Sequence, residues 1–323
     1  AIPVVEYTHF DALKQYTNAD WVPQTMQSRA TQIEDGLTTL VQAAFMKINV
    51  AENYFTSNLP VSSFETDRAI FLGRYGNWAN PKALQQPELN NSEALRGDNI
   101  AALMHHLGEV QPGETKRLIT QLGQAESVDL LHNTLTYYRK PKQVENEFAK
   151  LNAFWGKYLA TIQVDTPSQS MNHMLNAHHP HQCHTTKNWS RYLSLYQLGL
   201  GARGLGFRDS SQDVMGVISH IPNEARELIE KLLSVQRVDG SAYHQFYPLS
   251  MEASIGDAAE RIDRPDYYGD DHLWSLLAVC AYVKETGDTA FLDKMIPFYD
   301  KALDGLPIDT ATVREHLHRA IEF

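Results

Sequence analysis

Apolar and polar positions alternate with a period of two through the first ~125 residues, the signature of strands with two distinct faces. Leu37, Thr39, Val41, Ala43 and Phe45 fall on one face of such a segment, and Thr38, Leu40, Gln42 and Ala44 on the other. Turn-forming clusters, Glu34-Asp35-Gly36, Gly76-Asn77-Trp78 and Gln111-Pro112-Gly113, separate similar runs. Gly113 to Ile119 reads as a turn feeding a late strand. The pattern predicts an antiparallel sandwich.

From Ser127 the period changes. Val144, Phe148, Leu151, Phe154, Trp155 and Leu159 form a helical stripe. Val214, Val217, Ile218 and Ile221, at i, i+3, i+4 and i+7, predict a helix starting near Ser210. Pro222-Asn223-Glu224 restarts a helix through Leu228, Leu232 and Val235. The segment Asp271 to Lys284 is helical, with Gly287 as its C-terminal cap and Asp288 or Thr289 capping the next helix. Helix, short turn, helix, with no strands between, predicts a helical barrel or bundle.

At 323 residues the chain has room for two domains, and 43% hydrophobic with 21% charged residues is a globular composition. The net charge of −11 argues against nucleic-acid and anionic-membrane partners. No apolar run approaches the ~20 residues of a membrane-spanning helix. Two cysteines, Cys183 and Cys280, fit a reducing compartment, so the expected location is cytoplasmic. The opening AIPVVEYTHF has no Met and no leader pattern, and LHRAIEF ends within a helical pattern, so both ends read as cut.

Three polar clusters carry candidate chemistry. Gly199 to Gly204 formally matches G-x-G-x-x-G, but that motif has meaning only within a βαβ unit, which is not indicated here. Asn176 to His184, NAHHPHQCH, holds four histidines and a cysteine, residues that ligate zinc. Without paired ligand spacing, and with Pro180 interrupting the i, i+4 geometry, a polar loop lining a cleft is the favoured reading and no metal is expected. The run Arg203-Gly-Leu-Gly-Phe-Arg208-Asp209-Ser210-Ser211-Gln212-Asp213 is denser in hydrogen-bonding groups. Carboxylates accept from sugar hydroxyls, while a guanidinium can hold phosphate bidentately. The competing reading is a capped helix start with Asp209 or Ser210 as N-cap. Tyr243 to Pro248 and Tyr267 to Trp274 add aromatic faces beside donors and acceptors, which suits a pyranose ring.

Asn188-Trp189-Ser190-Arg191, GARGLGFRDSSQD (201–213), SAYHQFYPL (241–249) and YYGDDHLWSLLAVCAYVKETGD (267–288) together resemble the inverting disaccharide phosphorylases of glycoside hydrolase family ninety-four. Among its branches the cellobionic acid phosphorylases look the most similar. The resemblance implies an α+β multidomain fold. Residues 1–125 would be the C-terminal portion of an antiparallel β-sandwich, 126–165 a helical linker and 166–323 the first part of an (α/α)6 catalytic barrel, in a parent protein that is a homodimer. It implies phosphorolysis of a β-linked glucose disaccharide, of the cellobiose or cellobionic acid type, to α-glucose 1-phosphate with inversion. Disaccharide and inorganic phosphate would be the substrates, with no further cofactor.

By that resemblance Arg203 matches a phosphate-binding arginine. Arg208 and Asp213 match residues around the donor glucose, with Asp209 beside them. His244, Gln245, Asp270 and Asp271 are cleft residues. The family's general acid follows a segment matching Arg319 to Phe323, so no catalytic acid is expected before Phe323 and the chain alone is expected to be inactive. The rivals are a hydrolase or glucan-processing transferase on the same barrel, and a non-catalytic sugar-binding module.

Overall fold

The computed structural model describes residues 1–6, 26–32, 36–44, 52–190, 204–248, 250–256, 268–299 and 309–323. They fall into two compact units, Ala1–Leu151 and Asn152–Phe323.

In the first unit, β1 (Val4–Glu6), β2 (Met26–Gln32), β3 (Thr38–Ala44), β4 (Glu52–Ser57), β5 (Ser63–Asp67), β6 (Asn99–Met104) and β7 (Thr120–Ala125) form two antiparallel sheets. One has the order β1-β6-β5 and the other β2-β3-β4-β7. Leu40 and Phe55 of the second sheet pack with Ala101 and Leu103 of the first, so the sheets face each other across a shared core. This is the expected antiparallel sandwich.

The period-two assignment on β3 holds, but both of its faces are buried. Leu40 points into the sandwich, while Val41 joins Tyr54, Val128 and Leu135 beneath the chain that follows β7. Covered twice, such a strand cannot show one apolar and one polar face. On β6 likewise, Ala101 and Leu103 face the sandwich core, while Ile100, Ala102 and Met104 join Phe71 and Leu72 of α1 (Arg68–Leu72). Phe45 lies outside the described residues. The late strand is β7, starting at Thr120, just past the predicted turn. Two helices follow, α2 (His132–Tyr138) and α3 (Pro141–Leu159). The boundary between the two units falls inside α3, so the helical stretch expected over 126–165 is shared by both.

The second unit is mainly helical: α4 (Gln169–His173), α5 (His179–Thr185), α6 (Phe207–Met215), α7 (Pro222–Leu233), α8 (Asp271–Thr286) and α9 (Val313–Glu322). Its main core joins Val214 and Val217 to Ile229 and Leu233 of α7, Val279 and Tyr282 of α8, and Val313 and Leu317 of α9. Gly287, at φ 71°, closes α8, and Asp288 caps the next turn by accepting from the Phe291 N–H.

Four expectations need correction. The apolar stripe over 214–221 is not one helix. The helix stops at Met215, with Gly216 as C-cap, yet Val217 and Ile218, in the turn that follows, still join Val214 of the helix in the core. Pro222 disfavours helical geometry at Ile221, which sits at φ −136°, so the chain turns before α7 begins. Strands do interrupt the helices: β8 (Leu205–Gly206), β9 (Gln245–Phe246) and β10 (Ala253–Ser254) pair in the order β10-β9-β8, and β11 (Met295–Pro297) pairs with β12 (Thr310–Thr312). Segments of two or three residues are too short to register as periodicity.

The histidine-rich stretch is not a loop. It spans the end of a π-turn at Met174–His178 and most of α5, between α4 and a second π-turn at Thr186–Ser190. Pro180 lies in the first turn of α5, where the preceding π-turn has already shifted the hydrogen-bond register that a proline ring would otherwise break. Finally, the N-cap of α6 is Gly206 rather than Asp209 or Ser210, and no side chain caps it. The Phe207 N–H, one of the amides left without a partner within the helix, donates to the carbonyl of His244, next to β9, at 2.8 Å.

Candidate functional site

The β8-β9-β10 sheet builds the site. Leu205 pairs with Phe246 and Gly206 with Gln245, which sets the start of α6 against the His244-Gln245 segment. Beneath them Phe207 and Phe246, both fully buried, pack with Leu232, Val235, Ala242 and Tyr299. On α6 the residues Phe207, Ser210, Ser211 and Val214 form the inward stripe. Arg208, outside that stripe, is only partly buried. Glycine is required at 204, where a Cβ would stand 2.7 Å from the Phe246 carbonyl oxygen; a Cβ on Gly206 would meet only the Asp209 carboxylate, a side chain that can swing aside.

Two side-chain pairs converge from α8. Arg208 Nη1 donates to both oxygens of Asp270, at 3.0 and 3.1 Å. Trp274, one turn further along α8, donates its indole N–H to Asp270 Oδ2 at 3.2 Å. The Trp274 hydrogen bond first, and then Arg208, hold the Asp270 carboxyl below the usual carboxylate range. Asp270 in turn raises the Arg208 guanidinium. The pair stays open to solvent, with the side chains 39% and 49% exposed. The second pair is His244 Nδ1 with Asp271 Oδ2 at 2.8 Å. Tyr268 stacks on the His244 ring, centroids 3.9 Å apart and planes at 22°.

The structure therefore brings Arg208, His244, Asp270 and Asp271 together, with Gln245 on the adjoining strand bonded to Ser254 at 3.0 Å. Asp209 lies in the first turn of α6 with its carboxylate against Gly206. Asp213 stands elsewhere: five residues past Arg208 is about 140° around the helix. It adjoins Cys183, whose thiol is pushed up by burial and by the Asp213 charge. Arg203 lies outside the described residues. Tyr268 and Trp274, from the aromatic patch the sequence pointed to, belong to the site, and so does Ser254, which the sequence did not single out. For Trp274 the i, i+4 spacing from Asp270 was the available signal.

The histidine-rich helix makes a different environment. Trp155 lies 4.4 Å from His181 and 5.0 Å from His184, and Tyr158 stacks on His220 at 4.7 Å. Burial lowers the His184 and His220 rings below the ordinary imidazole range. Among the described residues no three His, Cys, Asp or Glu side chains stand together as a metal site would need.

Residues 154–323 match the catalytic domain of the glycosyl hydrolase 94 superfamily, and residues 1–141 match its supersandwich domain. The chain belongs to the glycosyl hydrolase 94 superfamily. It is 32% identical over 285 residues to N,N'-diacetylchitobiose phosphorylase of Vibrio proteolyticus, an alignment covering 84% of this chain and 34% of the relative. It is 30% identical over 295 residues to the cyclic beta-(1,2)-glucan synthase NdvB of Rhizobium meliloti, covering 88% of this chain and 10% of that protein. Cellobionic acid phosphorylase of Neurospora crassa is 23% identical over 272 residues, covering 84% of this chain and 31% of the relative. The chain thus spans about a third of the length of the phosphorylases it matches. The Arg208 and His244 pairs both lie within the stretch matched to the catalytic domain, and among the described residues no helix is long and apolar enough to cross a membrane.

Proposed function

We propose that the full-length protein is an inverting disaccharide phosphorylase, splitting a β-linked glucose disaccharide with inorganic phosphate into α-glucose 1-phosphate and a free acceptor sugar. The observation that carries this reading is the solvent-open Arg208–Asp270 pair beside His244 and Asp271, a cation and polar acceptors at one rim. Exposed ion pairs contribute about 0–1 kcal/mol, so a ligand can displace Asp270 from Arg208 at little cost. The phosphorylases among the relatives support the reaction class.

In this reading Arg203 holds phosphate. Arg208 and Asp209 face the donor glucose, His244, Gln245 and Asp270 complete the cleft wall with Asp271 buried behind His244, and Asp213, on another side of the helix, is left out of the sugar contacts. Phosphate is itself the nucleophile, so a single carboxylic acid suffices to protonate the leaving oxygen, where an inverting hydrolase needs two carboxyl groups. The helical unit is the first part of an (α/α)6 barrel. Leu273 and Leu277 of α8, 42% and 48% exposed, offer apolar surface that further barrel helices would cover. The disaccharide is of the cellobiose or cellobionic acid type, and the parent protein is a homodimer.

The similarity to a glucan synthase favours one second reading, a transferase that moves glucosyl units between glucans. Products separate the two. The full-length protein is incubated with cellobiose, cellobionate or N,N'-diacetylchitobiose, with and without phosphate. A phosphorylase releases a sugar 1-phosphate only when phosphate is present. Longer glucans formed without phosphate would establish the transferase, and free glucose formed regardless of phosphate a hydrolase.

A further inference from the structure

Asp271 is unusual among the site residues. Its side chain is 1% exposed, at the first position of α8, and only one of its two oxygens has a partner among the described residues. Oδ2 takes the His244 Nδ1 contact, while Oδ1 is buried with none. A buried carboxylate oxygen without a hydrogen bond is costly, and pairing with a partly exposed histidine is a weak structural return. The favourable end of the helix dipole offsets some of that cost without explaining why the carboxylate is aimed at His244. It cannot reach a ligand from that depth.

The His244 ring, by contrast, is held on three sides. Asp271 takes Nδ1, Tyr268 covers one face, and Gly256 closes the Cδ2 edge so tightly that a Cβ there would stand 3.0 Å from Cδ2. Its side chain keeps 28% exposure. Nε2 is the nitrogen left without a partner among the described residues. A carboxylate offers only lone pairs, so Nδ1 must carry the proton and Nε2 of the neutral ring becomes an acceptor.

We infer that Asp271 is a positioning residue that fixes the tautomer of His244, so that Nε2 accepts a hydrogen bond from a hydroxyl of the bound sugar. This rests on the sugar-site reading above and divides the labour within it. His244 and Arg208 meet the ligand, whereas Asp270 and Asp271, one residue apart, aim them from behind. An amide at 271 could donate to Nδ1 and so move the ring proton to Nε2, turning the acceptor into a donor.

The test pairs a spectroscopic readout with binding. Imidazole 15N shifts are recorded at pH 8 without ligand, with His244 assigned by the signal lost in His244→Gln. Glucose affinity is measured by calorimetry for the wild type, Asp271→Asn, His244→Gln and the double variant. The expected wild type is protonated at Nδ1 and bare at Nε2, and Asp271→Asn shifts the proton towards Nε2. Each single variant weakens glucose about tenfold, the scale of one hydrogen bond, and the double variant is no weaker than His244→Gln alone.

A wild-type ring protonated at Nε2, or losses that add in the double variant, would overturn the positioning role while leaving the sugar site standing. No glucose binding by a wild type with the expected tautomer would overturn the sugar site, and with it the ligand role of Nε2. The wild-type tautomer needs no change at Asp271, so the proposal stays testable if Asp271→Asn does not fold, and Asp271→Glu, which keeps the acceptor, should restore the Nδ1 proton.

Discussion

Replacing Arg208 with alanine separates a ligand-binding role from a structural one. Arg208 and Asp270 are 39% and 49% exposed, which puts their attraction in the range of about 0–1 kcal/mol of stability. Asp270 keeps its Trp274 N–H in the variant, so no carboxylate is orphaned. The expected fall in melting temperature is at most roughly 2–4 °C for a unit of this size. A hydrogen bond from a charged donor to a ligand is worth more, about 1.5–3 kcal/mol, because a desolvated site does not return it to water. Affinity for glucose or glucose 1-phosphate should therefore drop roughly 10- to 150-fold. Calorimetric titration and differential scanning calorimetry on the same sample read both quantities. A large loss of melting temperature with affinity unchanged within about twofold would refute the reasoning, since Arg208 would then be a structural tie rather than a sugar contact.

Two further predictions follow, one from close packing and one from burial. Gly204→Ala sets a Cβ 2.7 Å from the Phe246 carbonyl oxygen, so β8 must move off β9 or strain. Overpacking of this kind costs about 1–3 kcal/mol, and thermal unfolding together with a weaker glucose titration should report it. A stability that falls with acid is expected as well. Burial lowers the rings of His184, His220 and His272 below the ordinary imidazole value of 6.5. The unfolded chain therefore takes protons that the folded chain refuses. Their contribution is full above about pH 6.5 and is lost as pH falls from there towards the lowered folded values. Asp270, lowered from 3.8, keeps its contribution constant over the same window. The urea midpoint should hold from pH 8 to about 7 and drop by pH 5.5, and a flat midpoint would show that these rings titrate as if exposed.

Much of this molecule is legible in one dimension. Period two across 1–125 specifies a sandwich because alternate side chains must leave opposite faces of a strand. The switch to a 3.6-residue stripe near Ser127 marks the change to helices for the equivalent reason. The caps at Gly287 and Asp288 are local, and so is the polar density of 203–213, which points to the site. The i, i+4 step from Asp270 to Trp274 is equally local.

What the chain could not show alone is which polar groups meet. Arg208 and Asp270 are 62 residues apart, and His244 and Asp271 are 27 apart. Their pairing depends on a sheet of two-residue strands that leaves no periodic trace. The same sheet brings up the His244 carbonyl that takes the Phe207 amide at the start of α6. Composition and periodicity are sums over neighbours along the chain. The direction of a side chain and the partner that spans to it are set by packing between distant segments, and only the folded structure contains that information.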